Sequence, residues 1–74
     1  MTVYEKVVAT SKKYLGSAAE SFIGRQCKSH LKKQPDELMT SDLEALAMWI
    51  EIGAGLVMDK GKATELAGKV RVLS

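Results

Sequence analysis

The sequence predicts an all-α fold, a compact domain of four helices joined by short corners. Every apolar pattern of useful length recurs at a period near 3.6 residues, and each such stretch starts beside a residue suited to cap a helix. No segment alternates apolar and polar residues between turn signals as a strand does, and the chain has no asparagine for a tight hairpin turn. Seventy-four residues, 46% of them apolar and one of them proline, exclude a disordered tail. They fit one helical domain, residues 1–74, near the size at which a single core is barely sufficient.

The first helix is announced by Thr2 and Glu5, the spacing of a capping box. Val3, Val7, Thr10 and Tyr14 follow on one face with Tyr4, Val8 and Leu15 beside them, and Gly16 ends the helix where left-handed backbone is wanted. Ser17 and Glu20 repeat the capping-box pattern and start a second helix at once. In it Ala19, Phe22, Ile23, Gln26 and His30 share one face, while Ser21, Arg25, Lys28 and Lys32 share nearly the opposite one. Lys32, Lys33 and Gln34 lead to Pro35, which stops the helix because the residue before proline is pushed out of the helical region. Residues 35–40 form the longest connection, with room for a helical turn that tucks Leu38 or Met39 inward.

The rest of the chain is organised around a central buried helix predicted over residues 41–58, capped by Thr40 or Ser41, with Asp42 and Glu44 suiting its positive end. Leu43, Leu46, Ile50, Gly53, Ala54 and Val57 make one apolar lobe, and Trp49, Ile52 and Leu56 make a second beside it. The two lobes span roughly 200°, twice the stripe of an ordinary surface helix, so this helix requires cover from two directions. Gly53 lies inside the arc, where a missing side chain lets another helix approach closely. Asp59 then caps a last helix in which Ala63, Leu66, Ala67, Val70 and Leu73 recur on one face.

A lone cysteine, Cys27, forms no internal disulfide, no charged segment followed by an apolar run marks export, and the longest apolar run, residues 45–50, falls far short of the ~20 residues of a membrane span. The expectation is a cytoplasmic protein without membrane attachment. Net charge is +2, unevenly spread: residues 1–33 hold seven Lys and Arg against two acids, +5, and residues 34–74 hold four against seven, −3. Such asymmetry points to a basic partner-binding face or to complementarity between copies.

Catalysis and metal binding have little support. Cys27 and His30 are three apart on a helix, but a structural zinc site needs four ligands and the chain supplies one cysteine and one histidine. The same pair has no orienting third group to make it a nucleophile, and Glu44 and Glu51 have the spacing of a solvated stripe. No catalytic residue, metal or cofactor is expected.

Two surfaces are candidates for binding. Arg25, Lys28, Lys32 and Lys33, with Lys12 and Lys13, form a basic set able to neutralise nucleic-acid phosphates. The corner at Gly16 departs from a helix-turn-helix, because Lys12 stands where a small apolar residue is expected. The second surface is the surplus lobe of Trp49, Ile52 and Leu56, with Met39, Met48 and Met58 at its margins. Either the first helix covers it or a second copy does, in a homodimer to which Tyr4 and Val8 contribute.

Lys13, Tyr14, Leu15 and Gly16, leading into Phe22, Ile23, Gly24, Arg25 and Gln26, resemble the small helical segments appended to the C-terminal end of some bacterial serine/threonine kinases and signalling regulators. Those segments carry an aromatic, aliphatic, glycine, proline corner before an apolar helix with basic residues. The resemblance covers residues 7–30, with Ser17 standing where the family has proline, and implies an accessory or regulatory interaction module. The sequence thus predicts a self-associating helical module that binds a protein partner, with a small nucleic-acid-binding protein as the alternative.

Overall fold

A computed structural model of the chain describes residues 2–73, and in them the helical periodicity becomes four α-helices: α1 (Val3–Leu15), α2 (Ala19–Gln26), α3 (Leu43–Ala54) and α4 (Lys60–Arg71). No strand occurs among the described residues. The start of α1 is the predicted capping box, with Glu5 N–H donating to Thr2 Oγ1 at 3.1 Å and Thr2 N–H to Glu5 Oε1 at 2.8 Å. Gly16 ends it with φ 62° and ψ −139°, a positive-φ conformation that a side chain would strain, and returns its N–H to the Lys12 carbonyl.

The corner that follows is tighter than predicted. Gly16–Ala18 forms one 3₁₀ turn, so the residue entering α2 is Ala18, already helical in its dihedrals and without a side-chain cap. A capping box needs an extended residue at that position, which is why Ser17 and Glu20 do not form one. At its other end α2 widens into a π-helical turn, Cys27–Leu31, and Lys32 closes it in the left-handed region (φ 57°, ψ 37°) with its N–H on the Cys27 carbonyl. The helix therefore stops ahead of Pro35 by a backbone reversal at Lys32. In the connection, Pro35–Glu37 and Thr40–Asp42 are single 3₁₀ turns; Leu38 is the residue tucked inward and Met39 is exposed.

The central helix is shorter than the predicted residues 41–58. Asp42 turns back to accept the Met39 N–H at 2.9 Å, so regular helix begins at Leu43. After Ala54 the bonds tighten to the i→i+3 pattern, Leu56 N–H to Gly53 O at 3.2 Å and Val57 N–H to Ala54 O at 3.0 Å. Gly53 and Gly55 each lower helix stability by about 1 kcal/mol relative to alanine, enough for the next helix, capped by Asp59 on the Lys62 N–H, to take over. Val57 consequently leaves the buried lobe to which the periodicity assigns it and is exposed.

α3 packs most extensively on α4, α1 lies against α2 and α4, and α2 reaches α3. Leu43, Leu46, Ala47, Ile50 and Ala54 of α3 and Ala63, Leu66, Ala67 and Val70 of α4 are buried. Val7 and Val8 of α1, Ala19 and Ile23 of α2 and Cys27 of the π turn complete the core. Each fully buried Leu or Ile contributes about 2 kcal/mol. Val8 is therefore core rather than a contributor to an outward face.

Ser11 lies one turn after Val7, fully buried, and its hydroxyl has no hydrogen-bond partner among the described residues. An unsatisfied buried hydroxyl costs about 1–3 kcal/mol. Ser11→Ala should therefore raise the unfolding free energy by about 1 kcal/mol in a denaturant titration; a loss of stability would contradict this account.

Candidate functional site

The π turn decides where the cations of helix two point. An i→i+5 turn breaks the 100° step that put Lys32 in line with Arg25 and Lys28, and the left-handed Lys32 carries the chain away from the helix axis. Lys33 is drawn inward instead, its Nζ 2.8 Å from Asp42 Oδ2 in a pair that ties the end of the π turn to the start of α3. Arg25 and Lys28 stay exposed beside a shallow groove that also holds Tyr4, Glu20 and Pro35. Lys12 and Lys13 sit in the last turn of α1, where they suit its free carbonyls. Lys12 lines a neighbouring groove with Glu5 and Glu20. Glu20 borders both grooves, so the six cations are not one continuous positive surface.

The surplus apolar lobe is divided as well. Trp49 is half-buried beneath His30, the rings stacked with centroids 3.9 Å apart and planes 6° from parallel. His30 belongs to the π turn, so within the chain it is helix two rather than helix one that stacks on Trp49. Tyr4 is taken into the α1–α2 contact, where its hydroxyl donates to the Glu20 carbonyl at 3.1 Å and burial raises its pKa. What remains outward is Ile52, 53% exposed, with Leu56 and Val57, 84% and 73% exposed, on the turn that ends α3.

Leu56 stands between two concavities. One, of about 400 Å³, lies between α3 and α4 with Ile52, Lys60 and Thr64 on its walls. The other, of about 540 Å³, lies between helix two and the end of α3, lined by Leu15, Ala18, Phe22, Gln26, Gly53 and Val57, with Arg25 at its edge. Its floor explains Gly53: a Cβ there would sit 3.0 Å from Phe22 Cζ, so the close approach expected at this glycine is made by an aromatic ring rather than by a helix backbone. Phe22 escaped sequence reasoning as a groove residue because it reads as a core position on the apolar face of helix two, whereas Gln26, read on the same face, is indeed buried. The missing side chain at Gly53 was the available signal.

Glu44 and Glu51 are both engaged with α4. Glu44 accepts from Arg71 Nε at 3.3 Å, and Glu51 accepts from the Thr64 hydroxyl at 2.9 Å and lies 3.8 Å from the same guanidinium. Cys27 is buried and burial pushes its thiol pKa up, the opposite of what a nucleophile needs. Among the described residues no group of three or more His, Cys, Asp or Glu is placed to hold a metal, and no helix is long and apolar enough to cross a membrane. Comparison with protein-family models, with curated proteins and with solved structures finds no match.

The Lys33–Asp42 pair has a measurable consequence. The Lys33 ammonium, and next the Met39 N–H, hold the Asp42 carboxyl below its ordinary range. A depressed folded-state pKa adds stability that is complete above the unfolded value of about 3.9 and is lost as pH falls through the folded value. Asp42→Asn keeps an oxygen for the Met39 N–H and removes the charge, so it should cost about 1 kcal/mol at neutral pH. That difference should shrink as the pH falls below about 4. Thermal melts of both proteins across that range check it, and a pH-independent difference would remove the ion pair as its cause.

Proposed function

We propose that the chain is a small accessory or regulatory module that binds protein, a second copy included, through the apolar groove at the C-terminal end of α3. The observation that carries this reading is the pairing of two nearly fully exposed aliphatic side chains, Leu56 and Val57, with the concavity over Phe22 and Gly53. Singly exposed aliphatic residues are ordinary, whereas a contiguous patch beside a pocket is what interface anchors and their receptors look like. A photoreactive residue placed at Val57 should give a covalent protein adduct on irradiation in cells, and the same residue at Val72, exposed on the far end of α4, should not. Equal labelling at both positions, or none at Val57, would remove the reading.

The exposed pair Arg25 and Lys28 supports a second reading, nucleic-acid binding. Two cations give a salt dependence of roughly −2 in log K against log salt, and binding lost in the protein carrying both Arg25→Glu and Lys28→Glu. Oligonucleotide anisotropy at low salt tests it; no binding eliminates it.

A further inference from the structure

We propose that the groove is one half of a self-complementary contact, in which Leu56 of each of two copies enters the concavity over Phe22 and Gly53 of the other. The proposal rests on reading this groove as a protein-binding surface and names its occupant. A two-fold dimer uses the same patch on both subunits, so that patch must carry a protrusion and a matching hole side by side. Here they are adjacent. The turn after α3 presents Leu56 and Val57, 84% and 73% exposed, at the rim of the concavity of about 540 Å³.

The polar groups match in the same two-way manner. Gln26 is 9% exposed, lines the groove, and its side-chain amide has no hydrogen-bond partner among the described residues. That amide still touches solvent, so its donor is free to meet an acceptor brought from outside. The protrusion brings one. The carbonyls of Gly55, Leu56 and Val57 accept no backbone hydrogen bond among the described residues, and α3 has no basic residue in its last turn. The negative end of that helix therefore lacks a compensating cation on its own element. When Leu56 enters the second copy's groove, these carbonyls arrive beside Gln26 and the Arg25 guanidinium at its edge, and the two-fold axis repeats the exchange. An unrelated peptide would use the hole and leave the protrusion and its carbonyls uncovered; a second copy uses both.

The test measures association of the full chain by sedimentation up to about 1 mM. The unmodified protein should show a monomer–dimer equilibrium. Leu56→Asp should be monomeric with an unchanged helical spectrum, because the side chain it replaces is outside the core. Ala18→Trp, which fills the hole from within while adding apolar surface, should also be monomeric, whereas indiscriminate hydrophobic sticking would increase. Val72→Asp, away from the patch, should dimerise like the unmodified chain. Mixing the Leu56→Asp and Ala18→Trp proteins should restore a heterodimer, since one protrusion and one open hole remain between them, although neither associates alone. A dimer that survives Leu56→Asp, or a mixture that stays monomeric, overturns the proposal. So does an unmodified protein that is monomeric at about 1 mM; if its Val57 cross-linker still captures another protein, the module reading stands without the self-docking, and if it captures none, both fall.

Discussion

The seam between α3 and α4 is the contact on which the rest of the structure depends. Ala47 and Ala54 on one helix and Ala63 and Ala67 on the other are buried, and side chains this small let two helix backbones come close while Leu46, Ile50, Leu66 and Val70 fill the space around them. The connection from Gly55 to Asp59 is short, which makes the two helices antiparallel neighbours. Arg71 reaching Glu44 and Glu51 across the outside adds little energy, about 1 kcal/mol or less for such exposed pairs, and serves to mark the register of the seam.

Once α4 occupies one side of α3, the remaining apolar arc has to be shared among what is left. Phe22 and the π turn of helix two take the next portion, the ring of Phe22 against bare Gly53 and the imidazole of His30 flat on Trp49. α1 does not help, because the single 3₁₀ turn at Gly16 sends it back over α2 and α4. The uncovered remainder collects at one end, on the turn where the helix has given way. Its exposure is thus a consequence of the same glycines that allow the close packing.

The distribution of charge follows the backbone in the same way. A row of lysines and arginines at helical spacing makes a stripe only while the helix is regular, and the widening after Gln26 with the reversal at Lys32 ends that regularity in the middle of the row. Lys33 is spent on Asp42, and Glu20 stands between Lys12 and the Arg25–Lys28 pair. The half-chain excess of +5 against −3 is therefore partly consumed in joining the two halves.

The all-α class, the capping box at Thr2 and Glu5, the Asp59 cap and the buried face of α4 were all legible in the sequence, because caps and 3.6-residue periods are local and express themselves wherever the helix lies. Leu38 as the inward residue of the long connection was legible only as one of two choices. The sequence by itself also determined that α3 has more apolar surface than one neighbour can cover. Which part stays uncovered was decided by the tertiary structure: Val8 and Tyr4 went into the packing of α1, Trp49 under His30, and Leu56 and Val57 outward. The wheel assigns directions only for unbroken helix, and the π turn, the left-handed Lys32 and the early end at Ala54 are set by competition among packing partners distant in sequence, which no local pattern records.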